Sequence, residues 1–299
     1  MVKFSLIVPY YADISGQRSE HLNELLETIP DRSDLEILLV DDHSPEPFKP
    51  TRDFSRSRLS RVQNEPGCKF AGTARNAGLR LAQGEYVFFA DSDDLFHREA
   101  LDDILDSLMG DAQSDLVVVR STSFYEDGTD GTRHHYVDRV IDALLSGDNG
   151  DALVNYHSPW GKFIRKSFID KHAITFGPSR VANDVLFAVR LALSQPRHRV
   201  ADTVVYRVRQ GNPSLTSDPS WDAARERIRV ACEVHREMER HGRQELRSPL
   251  HYQYRKYLAA HPRGVLLEAL KAAWARELIV SPPGKMIKTA VKRLRKGLS

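Results

Sequence analysis

The sequence predicts an α/β fold: an open, mostly parallel sheet flanked by helices, followed by a helical C-terminal extension. Three observations carry this. Short apolar runs alternate with helix-spaced apolar residues through the first 120 residues, the pattern of parallel strands joined by crossover helices. Three of these apolar runs end in polar residues, where open α/β sheets bind ligands. Past residue 217, helical patterns dominate to the C-terminus.

Taken in order, residues 4–8, 35–40, 86–90 and 116–119 read as strands, and residues 19–29, 71–83 and 94–109 as helices. Residues 124–151 are polar and read as loop ahead of a mixed segment. Ser217-Asp218-Pro219-Ser220 reads as a helix start. Breaks follow near Gly242, His261-Pro262-Arg263-Gly264 and Ser281-Pro282-Pro283-Gly284.

Composition bounds the function. With 299 residues, 41% hydrophobic and 28% charged, the chain is long enough for a sizeable core. A net charge of +2 gives no global pull toward nucleic acid. Cys68 and Cys232 form neither a disulfide framework nor a metal knuckle, which fits a reducing cytoplasmic compartment. The apolar run at 4–8 stops at Pro9, too short for a signal-peptide core. The expectation is a soluble or peripheral protein.

The chemistry concentrates at the strand ends. Tyr86-Val87-Phe88-Phe89-Ala90 runs into Asp91-Ser92-Asp93-Asp94, three carboxylates in four positions. One of them, Asp94, is expected to cap the following helix. Capping does not account for all three, because neighbouring like charges raise one another's pKa unless a cation sits among them. Mg²⁺ or Mn²⁺ relieves that conflict with oxygen ligands, substrate phosphates completing the shell. Asp41-Asp42 ends the second strand; Asp41 reads equally as turn or ligand, whereas Asp42 is placed to accept the imide hydrogen of a pyrimidine base. Gly72-Thr73-Ala74-Arg75-Asn76-Ala77-Gly78 starts a helix, which reads either as free amides and the Arg75 guanidinium facing a diphosphate or as a surface helix with ordinary packing glycines.

Together these stretches resemble family 2 glycosyltransferases. Ser5-Leu6-Ile7-Val8-Pro9-Tyr10-Tyr11, Leu39-Val40-Asp41-Asp42-His43-Ser44, Ala74-Arg75-Asn76-Ala77-Gly78, and Gly84-Glu85-Tyr86 leading into Asp91-Ser92-Asp93-Asp94 match in order and spacing over roughly the first 100 residues. Ser158-Pro159-Trp160-Gly161-Lys162-Phe163-Ile164 is similar to the family's acceptor-side segment. Ala182-Asn183-Asp184-Val185-Leu186-Phe187 is similar to its Glu-Asp-x-x-Phe segment, with Asn183 where an acid is common. Arg209-Gln210-Gly211-Asn212-Pro213-Ser214-Leu215-Thr216 resembles a loop that closes over the donor, without the histidine that some relatives use as a metal ligand.

The resemblance implies a GT-A fold of the bacterial surface-polysaccharide type. It divides the chain into a glycosyltransferase domain at 1–216, with a nucleotide-sugar half at 1–95 and an acceptor half at 96–216, and a helical region at 217–299. It implies nucleotide-sugar contacts at Pro9, Tyr10, Tyr11, Asp42, Arg75, Asn76, Asp91 and Ser92. It further implies Asp93 as the principal metal ligand, Asp91 toward ribose or metal, and Asp184 as the general base. Trp160, Lys162 and Asn183 lie on the acceptor side, although Trp160 reads equally as core. The reaction implied is inverting, metal-dependent transfer of a hexosyl or N-acetylhexosaminyl group from a UDP-sugar to a glycan, lipid-linked or polyol-phosphate hydroxyl. His157, His134 and His135 read as loop or surface histidines.

Three rival readings remain. An oxidoreductase on a doubly wound sheet needs Gly-x-Gly-x-x-Gly after the first strand, and no glycine precedes Gly16 there. A nucleotidyltransferase on the same fold is opposed by Asn183-Asp184. A non-catalytic nucleotide- or sugar-binding module would lack Asp93 or Asp184.

At residues 285–298, Met286, Ile287, Ala290, Val291, Leu294 and Leu298 share one helical stripe beside six Lys or Arg and no acid. Such a helix either packs on its own domain or lies on an anionic membrane surface. The resemblance favours the membrane, on the inner face of the cytoplasmic membrane.

Overall fold

A computed structural model describes residues 1–12, 16–211, 218–247 and 251–274. Residues 1–217 and 218–299 form two compact units. The first holds an eight-stranded sheet whose strands, numbered in chain order as β1 (Phe4–Tyr10), β2 (Leu35–Asp41), β3 (Arg58–Gln63), β4 (Tyr86–Phe89), β5 (Leu95–Phe96), β6 (Leu116–Tyr125), β7 (Lys162–Arg165) and β8 (His198–Gln210), lie in the order β3-β2-β1-β4-β7-β6-β8-β5.

Strands β1 (Phe4–Tyr10), β2 (Leu35–Asp41), β3 (Arg58–Gln63) and β4 (Tyr86–Phe89) are mutually parallel. All of β1 and β4 is buried, as is β2 up to Asp41. Near-continuous apolar runs of this kind belong to strands covered on both faces. Helix α1 (Gln17–Glu27) connects β1 to β2, and α2 (Phe70–Leu81) connects β3 to β4. Helix α2 sits close on the sheet because Gly78 has no side chain: a Cβ there would lie 2.5 Å from Ile7 Cγ2. Strand β1 lies between β2 and β4, so the C-terminal ends of all three meet on one edge of the sheet.

Beyond β4 the order becomes mixed. Strand β6 (Leu116–Tyr125) pairs parallel with β8 (His198–Gln210), while β7 (Lys162–Arg165) runs antiparallel between β4 and β6. The two-residue β5 (Leu95–Phe96) pairs antiparallel with β8. Helices α3 (Arg98–Leu108), α4 (His135–Leu145), α5 (Lys166–Lys171) and α6 (Asn183–Leu193) complete this unit.

Several sequence expectations need correction. The helix predicted over 94–109 begins only at Arg98, because Leu95 and Phe96 are drawn into the sheet beside β8. The stretch predicted as loop over 124–151 contains the end of β6, a tight turn at Gly128 and all of α4, whose Val137, Val140, Ile141 and Leu144 are buried. Strand β3 had no apolar run to announce it: its sequence RLSRVQ forms a sheet edge, where charge blocks further pairing.

The second unit contains α7 (Trp221–Arg240), α8 (His251–Leu258) and α9 (Pro262–Trp274). Ser220 caps α7, its hydroxyl accepting from the Ala223 N–H at 3.3 Å. Ala224, Ile228, Cys232, Tyr257 and Val265 form its core. Among the described residues no helix is long and apolar enough to cross a membrane. The basic stripe at 285–298 lies outside the described residues.

Candidate active site

The acid turn follows directly from β4. Ala90 N–H donates to Ile7 O at 3.3 Å and Asp94 N–H closes back on Asp91 O at 3.1 Å. Asp94 is not the expected helix cap. It is buried at 2% exposure, accepting from the Tyr206 hydroxyl at 2.9 Å and the Arg209 backbone N–H at 2.7 Å. Burial, followed by the charges of Asp93 and Asp91, pushes its pKa well up. The acid turn is thus pinned to β8.

Asp91 faces the other way. Its carboxylate pairs with the Arg75 guanidinium, and its backbone N–H donates to the Tyr206 hydroxyl at 2.9 Å. Ser92 and Asp93 are half-buried in the turn. Burial raises the Asp93 pKa, the Asp91 charge adds to it, and Arg133 and His21 oppose.

Arg75 links this turn to the start of α6. Its guanidinium, buried at 5% exposure, donates to Asn183 Oδ1 at 3.1 Å as well as to Asp91. The approach of α2 to this segment depends on Gly72, where a Cβ would lie 2.2 Å from Gly177 O and 2.8 Å from Asn183 Cβ. Asn76 completes the junction: its side-chain amide donates to Phe176 O at 3.0 Å and accepts from Phe176 N–H at 2.9 Å. That reciprocal pair makes Asn76, expected as a nucleotide contact, the link between α2 and the loop ahead of α6.

Asp184 lies in the first turn of α6, behind Ala182 in a left-handed conformation (φ 55°). Burial raises its pKa, and Arg75 is the largest opposing influence. Its charge reaches Tyr136, His157 and Lys162 as well. A carboxylate with a raised pKa is a stronger base than an ordinary aspartate, provided the pH is high enough to ionise it. Asp91, Arg75, Asn183 and Asp184 therefore share one site, although more than 90 residues separate the first from the last in sequence.

On the β2 side, Asp42 accepts from Asn64 Nδ2 at 2.8 Å and from the Phe70 N–H at 2.7 Å, where α2 begins. Asn64, itself 1% exposed, also donates to Thr73 Oγ1 at 2.9 Å. Asp41 closes a turn by accepting from the Ser44 N–H and hydroxyl. Pro9 and Tyr10 are buried, Tyr10 against Phe48 with its phenol pushed up to about 12 mainly by that burial. Tyr11 is exposed at 40%, with Arg18 over its ring.

Trp160 and Lys162, expected on the acceptor side with Trp160 reading equally as core, are both buried. Trp160 is 1% exposed and stacks on Tyr206. Lys162 is 2% exposed, and its ammonium donates to Tyr156 O at 2.8 Å and to Ser158 O, over the Tyr156 ring. Burial lowers its pKa and Asp184 opposes. Both side chains stabilise the site from within. His157, expected in a loop or at the surface, lies in the loop between Asn155 and Lys162, half-buried with Nε2 3.0 Å from Val154 O.

Sequence reasoning missed Tyr206, Asn64 and the clamp made by Arg209. Arg209 carried a signal, since it begins the 209–216 stretch already set apart. Tyr206 and Asn64 carried none.

The donor set fits a divalent cation held sparingly by protein. Among the described residues no three His, Cys, Asp or Glu side chains converge as ligands. Mg²⁺ and Mn²⁺ at phosphate-transfer sites commonly take one or two carboxylates and fill the shell with water and substrate oxygens. Asp93, desolvated and beside a second acid, is such a carboxylate. Asp91 has one oxygen committed to Arg75 and the other available as a second ligand.

Several known proteins resemble this chain in sequence or fold. The chain is 27% identical over 213 residues to poly(ribitol-phosphate) beta-N-acetylglucosaminyltransferase TarP of Staphylococcus aureus, covering 69% of this chain and 62% of the relative. It is 32% identical over 122 residues to TarS of the same organism, a poly(ribitol-phosphate) beta-N-acetylglucosaminyltransferase, covering 40% of this chain and 21% of that protein. The chain thus spans less than two thirds of either curated relative. Among solved structures, S. aureus TarS 1–349 in complex with UDP-GlcNAc superposes with a TM-score of 0.60 at 22% identity, over 87% of this chain and 72% of that one. The mannosyltransferase PcManGT of Pyrobaculum calidifontis, in complex with GDP-Man and Mn²⁺, gives 0.53 at 19% identity over 98% and 80%. These likenesses give the fold as GT-A. The model of glycosyl transferase family 2 matches residues 5–177, from β1 through the acid turn to the loop that Asn76 holds, and the chain belongs to that family.

Proposed function

We propose that this protein transfers a hexosyl or N-acetylhexosaminyl group from a UDP-sugar to a hydroxyl of a glycan, lipid-linked or polyol-phosphate acceptor, with inversion at the anomeric carbon. The observation that carries the reading is the Arg75 bridge, which joins Asp91 of the acid turn to Asn183 beside Asp184. It sets a leaving-group side and a base side within one site. The curated relatives named above, which act on poly(ribitol-phosphate), support the acceptor class. A TarS structure with UDP-GlcNAc supports the donor.

In this mechanism Asp184 accepts the proton of the acceptor hydroxyl as its oxygen attacks the anomeric carbon. The new C–O bond forms as the bond to the diphosphate breaks, and the diphosphate departs with the electron pair. Asp93, with Asp91, would hold a divalent cation, which supplies positive charge where the leaving diphosphate becomes more negative. Arg75 keeps Asp91 and Asn183 in register, and Asn76 fixes the loop ahead of α6. Asp42, oriented by Asn64 and the α2 start, presents a carboxylate for the imide hydrogen of the base.

A nucleotide-sugar panel tests the reading, scored by Mn²⁺-dependent thermal stabilisation and slow donor hydrolysis. A UDP-sugar is expected to stabilise above GDP- and dTDP-sugars. No response to any nucleotide sugar, or retention of donor configuration in the product, contradicts it.

A further inference from the structure

We infer that Arg209 is the positioning residue of the acid turn, acting on Asp93 through the main chain. The inference rests on the reading of Asp93 as the metal-holding carboxylate.

Arg209 lies near the end of β8 and is 5% exposed. Its Nε–H donates to the Asp93 carbonyl at 2.7 Å, and its own backbone N–H donates to Asp94 Oδ1 at 2.7 Å. One residue therefore grips two consecutive members of the turn, 115 and 116 positions away in sequence. The guanidinium is itself immobilised: Nη1 donates to Glu126 at 2.8 Å, Nη2 to Glu24, and the Phe124 ring lies 4.9 Å from its central carbon. Glu24 and Glu126 are half exposed, so the fork is anchored from the protein surface inward.

The planar fork is what this task needs. Guanidinium donors diverge at fixed angles, whereas an ammonium is a point charge on a flexible stem. The largest opposing charges on the Asp93 carboxylate are Arg133 and His21 rather than Arg209. Arg209 thus contributes direction, by fixing the Asp93 main chain from which the carboxylate projects, more than it contributes charge. The two roles make opposite forecasts for lysine at this position, which keeps the charge and loses the fork.

The test is Mn²⁺ binding by the full chain, followed by electron paramagnetic resonance of free Mn²⁺ with and without UDP, for wild type, Arg209→Lys, Arg209→Gln and Glu126→Gln. Loss of an outer partner of a metal ligand weakens metal affinity by about 10–100-fold. Arg209→Lys and Arg209→Gln are both expected in that range, with Glu126→Gln weakened less. Wild-type affinity in a folded Arg209→Lys protein overturns the inference in favour of a charge role. Unchanged affinity in both Arg209 variants, with only a lower Tm, overturns it in favour of a purely structural role. If both Arg209 variants fail to fold, Glu126→Gln decides: weaker Mn²⁺ binding supports the clamp and wild-type binding overturns it. Absence of Mn²⁺ binding by wild type, with or without UDP, removes the metal reading itself.

Discussion

Trp160 stacks on Tyr206 with ring centroids 5.3 Å apart and planes 13° from parallel, and the Tyr206 hydroxyl relays that packing to both ends of the acid turn. The same hydroxyl accepts from Asp91 N–H and donates to Asp94, so an interior aromatic pair sets the geometry of a polar site. Of the two readings the sequence left for Trp160, the structure shows the buried one, a floor beneath the carboxylates.

Tyr206→Phe keeps the stack and deletes the relay. It leaves a buried Asp94 oxygen and the Asp91 N–H short of a partner, and a loss of about 1–3 kcal/mol is expected for such a group. Trp160→Ala removes the floor and is expected to cost about 3–5 kcal/mol. Urea unfolding of both variants checks the order. A Trp160→Ala protein as stable as wild type would show that the stack contributes nothing.

Asp93→Asn is expected to separate stability from activity. The folded-state pKa of Asp93 is raised, so its contribution to stability falls as pH rises from the ordinary aspartate value toward that raised value and stays unfavourable above it. At neutral pH, metal-free Asp93→Asn should therefore melt no lower than wild type. Metal-dependent turnover should fall by about 10²-fold or more, the scale for losing a preorganised electrostatic group. Near wild-type turnover in a folded variant, or full wild-type activity in excess EDTA, would contradict the assignment.

Asp184→Asn should bind donor almost normally while losing about 10²–10⁴-fold in transfer, the range of general-base catalysis. Because burial raises the Asp184 pKa, the base form appears as pH rises through a value above the ordinary aspartate figure of about 3.9. The acidic limb of kcat/KM in wild type should lie above that figure and be absent from the residual rate of the variant. Collapse of donor affinity with a high residual rate would make Asp184 a binding residue.

We propose that the basic stripe at 285–298 holds the protein on an anionic membrane surface, each basic residue contributing about 1 kcal/mol. Full-length protein is expected to co-sediment with anionic and not neutral liposomes at low salt, and a chain ending at Pro283 to lose most of that binding. Equal binding by the two chains, or none to anionic vesicles, would refute the placement and leave the enzymatic reading untouched.

Local sequence by itself determined the three central parallel strands β1, β2 and β4. Residues 4–8, 35–40 and 86–90 are buried on both faces, so hydrophobic burial writes them as unbroken apolar runs, and the polar residues that stop those runs mark the edge where the acid turn and Asp42 lie. Arg75 and Asp184 were also legible, through motifs near helix starts. Strands β3, β5 and β8 were not, because edge position, two-residue length and charge alternation leave no apolar run to read. Tertiary structure alone decided which polar and aromatic side chains stay open to solvent and which serve as internal supports. Asp94, Asn76, Trp160 and Lys162 carry the same side chains in either role. Their roles separate only when partners from distant segments arrive: β8 for Asp94 and Trp160, the loop at Phe176 for Asn76, and the carbonyls of Tyr156 and Ser158 for Lys162. The physical reason is that a buried polar group must find its hydrogen-bond partner wherever the fold supplies one, and sequence spacing does not encode contacts of that range.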